Sequence, residues 1–159
     1  MFLNPTARTY RYTPTNPSSS SETEVLSFHR TLPSYAPTPL IPLPSLAASL
    51  NIGNVLLKDE SNRFDLPAFK ILGASWATYR AVAAQCGLPL TISLEELGNA
   101  ARKQEIRLVT CTEGNWGRAV ARMAKYLQIP AIIFVPNFMS TATQGKIASE
   151  GPEVIVVDG

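Results

Sequence analysis

The second part of the chain alternates short apolar strands with helical segments, and this alternation limits the possible folds more than any other feature. Strands are predicted at residues 108–111, 131–135 and 154–157, and helices at 118–127 and 141–150 fill the intervals between them. Such short links are typical of strand–helix–strand units, in which neighbouring strands run parallel and the crossovers are right-handed. The sequence therefore predicts an α/β fold with a parallel sheet.

The earlier part of the chain is centred on a lysine near the start of a predicted helix. A strand at residues 55–57 leads through the charged loop 58–63 to a helix that we expect to begin with Asp65 as its cap and to end near Gln85. Lys70 then lies in the first turn. Such a lysine is usually a surface residue whose stem packs on apolar neighbours. The alternative is a dry site, in which a neutral amine can form a Schiff base.

A second candidate site is the turn at residues 113–117, which joins the carboxyl end of a strand to the amino end of a helix. Ligands usually bind at this edge of an open parallel sheet. Gly114 and Gly117 let the backbone approach a ligand closely, and Asn115 can offer an amide. The alternative is an ordinary strand-to-helix turn in which Asn115 only caps the helix.

Two shorter segments also carry predictions. The loop at residues 58–63 is rich in charge, and it is either a solvated turn or a place where Asp59 or Arg63 forms an ion pair in the wall of a site. Residues 93–96 read Ser-Leu-Glu-Glu, which is the pattern of a helix capping box, and the helix that follows should reach about Lys103.

Composition argues against several other kinds of chemistry. The only histidine, His29, lies in the N-terminal segment away from both candidate sites, and the spacing of Cys86 and Cys111 fits neither a metal site nor a disulfide scaffold. A zinc centre and a Ser-His-Asp triad are therefore not expected, and both cysteines should be buried thiols. The net charge of +2 favours no nucleic-acid partner, and no apolar run is long enough for a membrane span.

Three motifs together resemble one enzyme family. They are the segment at residues 35–40, the run at 58–73 that contains Lys70, and the turn at 112–118. They occur in the order found in diaminopropionate ammonia-lyases, which belong to the tryptophan-synthase-β-like enzymes that use pyridoxal phosphate. The resemblance extends from about residue 27 to the end of the chain. It implies the three-layer α/β fold of the fold type II pyridoxal-phosphate enzymes, incomplete at the C-terminus.

The resemblance also implies roles for individual residues. Lys70 would bind the cofactor, pyridoxal 5'-phosphate, and either Lys70 or Glu113 would remove a proton from the substrate, depending on the substrate's stereochemistry. Phe69, Gly114 and Asn115 would contact the cofactor, with Asn115 at the hydroxyl group of its ring. The implied reaction eliminates ammonia from 2,3-diaminopropionate, a small amino acid, and gives pyruvate and ammonia. No metal is expected.

The sequence departs from the pattern of that family at several positions. Glu113 stands where the best-known relatives have Asp, and Trp116 where they have His. The extra methylene moves the carboxylate by about 1 Å, which is enough to change a rate or a stereochemical preference. Asp65 replaces Gly, Pro67 replaces Asn and Ala74 replaces the second Gly of a pair. These changes leave two alternatives open: another fold type II enzyme, such as a serine/threonine dehydratase, or a non-catalytic remnant.

By the same resemblance the chain has three parts. Residues 1–26 form a leader that we expect to be flexible, 27–104 the N-terminal part of the large cofactor domain, and 105–159 the start of the small domain. Prolines in the leader argue against an organelle transit peptide, so a cytoplasmic location is expected. The glycine-rich phosphate cradle of the family has no counterpart here. We therefore expect a truncated product that is inactive alone, and a homodimer for the full-length enzyme.

Overall fold

The computed structural model describes residues 19–158, which contain six helices and five strands. In chain order these are α1 (Ser19–Thr31), β1 (Leu40–Pro42), α2 (Pro44–Ser49), β2 (Leu56–Lys58), α3 (Lys70–Cys86), α4 (Leu94–Lys103), β3 (Leu108–Cys111), α5 (Asn115–Leu127), β4 (Ala131–Pro136), α6 (Thr141–Ala148) and β5 (Glu153–Val157). Residues 1–18 of the predicted leader lie outside the described part, and its residues 19–26 belong to α1. None of the described helices combines the length and hydropathy that a membrane span needs.

The predicted parallel sheet is present. It has the order β3–β4–β5, with Leu108 of β3 opposite Ala131 of β4 and Ile133 of β4 opposite Val154 of β5. Helices α5 and α6 form the two crossovers, and they contact each other as well as the sheet. The strand boundaries agree with the sequence prediction to within one residue. The α/β prediction is therefore confirmed for this part of the chain.

One face of the sheet packs on α5, and the other is half-buried on β4 and exposed on β3. The apolar side of α5 is buried, including Val120, Met123 and Leu127. On β3, by contrast, half-buried and exposed residues alternate, and 59% of Val109 is accessible to solvent. Parallel strands are usually buried on both faces, so the exposed residues of β3 mark a face that residues 19–158 leave uncovered.

Helices α3 and α4 pack on α5, and α1 packs on α3, so that the core continues from the sheet through α5 to these helices. The predicted C-terminal signal of α3 and the predicted N-terminal signal of α4 are both confirmed. Gly87 ends α3 in the left-handed conformation, with φ of 67°. Ser93 and Glu96 form the predicted capping box at the start of α4. The boundary between two domains near residue 104 stays a prediction.

The segment before α3, residues 64–69, differs from the prediction. The helix begins at Lys70 rather than near Asp65, and its cap position is Phe69, without a side-chain hydrogen bond. Phe64 and Asp65 instead adopt left-handed backbone angles, with φ of 53° and 57°. The residue before a proline avoids the helical region, so Pro67 prevents the helix from extending back to the predicted cap. Lys70 is therefore the first residue of its helix.

Candidate active site

Lys70 and the turn after β3 line the same open cleft, which has a volume of about 560 Å³. Helix α3 packs along α5, and this contact brings the first residues of both helices to one place. The residues that line the cleft are Lys70, Cys111, Thr112, Glu113, Gly114, Asn115 and Trp116. The structure thus brings together four of the five residues predicted for the site. The fifth, Phe69, is 62% exposed and is not among the lining residues.

The side chain of Lys70 is exposed, so the dry environment considered from the sequence is not formed by residues 19–158. No ion pair with a carboxylate within this part of the chain holds its ammonium group. Glu113 is also exposed and lines the cleft with it. The cleft therefore offers a primary amine and a carboxylate that are both accessible to a ligand.

The turn after β3 is held by Thr112, a residue that the sequence reasoning missed. Its Oγ1 accepts hydrogen bonds from the backbone N–H of Gly114 at 3.0 Å and of Gly117 at 3.1 Å. It also donates to the Gly114 carbonyl oxygen at 3.2 Å. A hydroxyl directly after a strand and two residues before a glycine was the signal that could have identified it. Thr112 fixes the backbone that carries Glu113 toward the cleft.

Asn115 is the first residue of α5, and Gly114 occupies the cap position without a side-chain hydrogen bond. The alternative is therefore wrong in naming Asn115 as the cap, and its other part, an ordinary strand-to-helix turn, stays a prediction. The first amides of a helix lack intrahelical partners and carry a partial positive charge, which favours anionic or polar ligands. A Cβ on Gly114 would meet no atom within 4 Å. The backbone at Gly114 is thus open to a ligand in the cleft.

The charged loop 58–63 contains a largely buried ion pair of Arg63, as one of its two interpretations expected, but the pair is not in the wall of the cleft. Arg63 is 7% exposed and pairs with Glu60 through Nε and Nη2. Its guanidinium also donates to Thr38 Oγ1 at 2.6 Å and to the Ala36 carbonyl at 3.0 Å. Asp59, the other candidate, instead accepts from the backbone N–H of Ser61. The pair stabilises the loop behind the cleft and does not line it.

A second buried ionic cluster contacts the turn that precedes α3. The carboxylate of Glu150 accepts hydrogen bonds from Arg118 and Arg122, both on α5. Arg122 also donates through Nη1 to the carbonyl oxygen of Phe64 at 3.0 Å. The cluster therefore connects the end of α6, the middle of α5 and the turn that precedes Lys70.

His29 contacts the Lys70 helix, although the sequence placed it away from both candidate sites. It is 7% exposed, and its Nε2 lies 2.9 Å from the Leu72 carbonyl oxygen, to which it donates a hydrogen bond. Its ring also lies near the ring of Phe64. Burial lowers the pKa of His29 below 6.5, the hydrogen bond to Leu72 opposes this shift, and the charge of Arg63 adds to it.

The pH dependence of stability below about pH 6.5 should report the titration of His29. Because the folded state has the lower pKa, the unfolded chain binds more protons in this range, and the free energy of unfolding should fall as the pH drops below about 6.5. Urea titrations at several pH values measure this slope. His29→Gln keeps a donor for Leu72 but cannot titrate, so it should flatten the slope. An equal slope in both proteins would contradict the assignment, because the chain has one histidine.

The two cysteines differ in environment. Cys86 is half-buried, and burial raises the pKa of its thiol. Cys111 is exposed and lines the cleft, so the prediction of a buried thiol is wrong for this residue. Half-buried and exposed residues alternate along β3, because successive side chains point to opposite faces of the sheet. Cys111, at the end of the strand, points to the uncovered face.

Comparisons with known proteins give a consistent result. A family profile described as "Pyridoxal-phosphate dependent enzyme" matches residues 31–159. The diaminopropionate ammonia-lyase of Salmonella typhimurium is 40% identical over 140 residues, which is 85% of this chain and 34% of that protein. The Escherichia coli K12 enzyme of the same name is 38% identical over 132 residues, covering 82% and 33%.

Solved structures agree with the sequence matches. The apo crystal structure of Escherichia coli diaminopropionate ammonia-lyase superimposes with a TM-score of 0.80 at 35% identity, covering 89% of this chain and 39% of that one. The chain spans about a third of the length of the curated relatives it matches. Its fold is that of the fold type II enzymes, and the chain belongs to the pyridoxal-phosphate dependent enzyme family.

Proposed function

We propose that this chain forms the lysine-bearing part of a lyase that eliminates ammonia from 2,3-diaminopropionate and gives pyruvate and ammonia. The observation that supports it most directly is the common cleft of Lys70, Glu113 and Asn115. The names of the relatives at 38–40% identity support the choice of substrate. Because those relatives are about two and a half times as long, we assign turnover to the full-length protein and expect this chain to be inactive alone.

The residues of the cleft fit the cofactor of the family. Pyridoxal phosphate supplies an aldehyde that condenses with a lysine amine and a ring that accepts electron density from the substrate. Lys70 would hold it, because its amine is exposed in the cleft and no carboxylate within residues 19–158 is paired with it. The open backbone at Gly114 would admit the ring, and the amide of Asn115 would bind the ring hydroxyl. Phe69 would contact the cofactor from the edge of the cleft.

Two side chains of the cleft would act on the substrate. Either the amine of Lys70 or the carboxylate of Glu113 would take the proton from the α-carbon, depending on the hand of the substrate, and a group of this kind contributes about 10²–10⁴-fold to a rate. Trp116 is 39% exposed and gives the cleft an aromatic wall. Because Trp116 and the longer side chain of Glu113 depart from the pattern of the family, a second candidate reaction is also tested. It is the elimination of water from serine or threonine.

We further propose that the full-length protein is a cytoplasmic homodimer that acts on a small amino acid. Ammonia release from 2,3-diaminopropionate, serine and threonine, assayed in both stereoisomers, distinguishes the candidate substrates. The highest kcat/KM should be for diaminopropionate. A preference for serine or threonine would replace the substrate and retain the cofactor, whereas no reaction with any of the three would favour a non-catalytic protein.

The role of Lys70 can be tested without turnover. The full-length protein is incubated with pyridoxal phosphate and reduced with borohydride, and the modified lysine is identified by peptide mass spectrometry. We expect the label on Lys70, its loss in Lys70→Arg, and no change in Lys125→Arg, which alters an exposed lysine outside the cleft. A label on a different lysine in the wild-type protein, or on none, would overturn the proposed function.

A further inference from the structure

We propose that Arg122, oriented by the buried carboxylate of Glu150, is a positioning residue that holds Lys70 in place through the carbonyl group of Phe64. This inference rests on the proposed function of Lys70. Neither Arg122 nor Glu150 lines the cleft, so both act only through the backbone that leads to the lysine.

The orientation of Arg122 is fixed by two hydrogen bonds to one carboxylate. Its Nε donates to Glu150 Oε2 at 2.5 Å, and its Nη2 donates to Oε1 at 3.0 Å. The side chain of Glu150 is 3% exposed, so water does not compete for this pair. A planar guanidinium bound at two atoms has little freedom to rotate. Its third nitrogen, Nη1, therefore points in one direction.

Nη1 of Arg122 donates to the carbonyl oxygen of Phe64 at 3.0 Å. Phe64 has φ of 53° and is followed by Asp65 with φ of 57°. A bulky residue in the left-handed region is costly and persists where its surroundings hold it. The hydrogen bond from Arg122 supplies such a constraint. A change in the backbone at Phe64 would redirect the five residues that lead from it to Lys70.

Other contacts hold the same segment from different sides. The Arg63 side chain is bound by Glu60 and by the Ala36 carbonyl, and the Leu72 carbonyl accepts from His29. These contacts tie the segment to α1 and to the loops around β1 and β2. The hydrogen bond of Arg122 ties it to α5, the helix whose first residue is in the cleft with Lys70. It therefore controls how the lysine lies relative to the turn after β3.

Arg118 offers a matched control. It lies one turn before Arg122 on α5 and donates to the same carboxylate, through Nε to Glu150 Oε1 at 3.0 Å. Its hydrogen bonds within residues 19–158 do not include one to the segment before α3. Arg118→Gln and Arg122→Gln each remove one arginine from Glu150, and only the second breaks the link to Phe64. A third variant, Arg122→Lys, keeps a charge beside Glu150 and removes the fork that reaches the carbonyl.

The experiment compares the three variants with the wild-type sequence, all in the full-length protein, in two measurements. The first is the rate at which pyridoxal phosphate labels Lys70, trapped with borohydride. We expect about a tenfold slower rate in Arg122→Gln and in Arg122→Lys, because a displacement of the reacting group by 1 Å can cost up to about 100-fold. Arg118→Gln should label at the wild-type rate. Urea unfolding of each variant confirms that the labelled population is folded.

The second measurement is hydrogen exchange at two amides: that of Leu66, which donates to the Arg63 carbonyl, and that of Leu72 in the first turn of α3, which donates to the Phe69 carbonyl. Exchange should be faster in both Arg122 variants than in Arg118→Gln. Equal exchange and equal labelling in Arg118→Gln and Arg122→Gln would show a general effect on stability and would overturn the positioning role. If the wild-type full-length protein labels no lysine, the proposed function fails, and equal exchange in the two glutamine variants would then separately refute the positioning.

Discussion

Gly117→Ala should destabilise the protein by about 2–3 kcal/mol, the cost of forcing an extra methyl group into a packed interior. A Cβ at this position would lie 2.2 Å from Cγ2 of Thr112 and 2.9 Å from Cγ2 of Ile133. Ile133 is fully buried in the central strand and has no free space to move into. The effect therefore comes from close contact between α5 and the sheet, and not from backbone conformation.

The free energy of unfolding in urea measures this effect, and Gly145→Ala is its control. Gly145 lies inside α6, where an added Cβ would meet no atom within 4 Å. Alanine is the better helix former by about 1 kcal/mol, so the control should be more stable than the wild-type protein. If both variants lost the same stability, the close contact at Gly117 would not be the cause. Because Thr112 also holds the turn after β3, Gly117→Ala should disturb the cleft as well.

Glu150→Ala should cost about 3–5 kcal/mol, because it leaves two arginines without their common partner in a buried place. The side chain of Glu150 is 3% exposed, and those of Arg118 and Arg122 are only 18% and 15% exposed. Glu153→Ala, at an exposed carboxylate of β5, should change the free energy of unfolding by less than about 0.5 kcal/mol. A loss for Glu150→Ala no larger than that of this control would mean that the ion pairs of Glu150 with Arg118 and Arg122 add nothing to stability.

The ion pairs of Glu150 should also make the free energy of unfolding depend on pH in the acid range. Burial raises the pKa of Glu150, but hydrogen bonds and charge from Arg122 and Arg118 outweigh it, so that the net shift is downward from 4.5. A lowered pKa in the folded state means that stability from the pair is present above about pH 4.5 and is lost as the pH falls further. Urea titrations below that pH should therefore show a smaller slope in Glu150→Ala than in the wild-type protein.

The features that the sequence predicted well depend on residues close together along the chain. The strands β3 to β5 are short apolar runs separated by helical patterns, Gly87 ends α3, and Ser93 with Glu96 starts α4. Each of these features is determined mainly by residues that are close together in the sequence. The common cleft of Lys70 and Glu113 was expected from family resemblance, since no local pattern brings two residues so far apart in sequence together.

The features that the sequence did not predict depend on contacts between distant residues. Arg122 is 58 residues from Phe64, and His29 is 43 residues from Leu72. No spacing rule connects such pairs. The start of α3 is a different case, because the information was present: Pro67 excludes a helical residue before it, and this outweighs the capping tendency of Asp65. The exposure of Cys111 depends on which face of the sheet is covered, which periodicity alone does not determine.

The position of Cys111 offers a practical route to observing the cleft. A fluorophore attached to this exposed sulfur would stand among the residues that line the cleft, without any engineered mutation. Cys86, half-buried and with a raised pKa, forms the reactive thiolate less readily. Short exposure to a maleimide dye at neutral pH would therefore modify one sulfur selectively, and the emission of the dye would report the arrival of small molecules in real time.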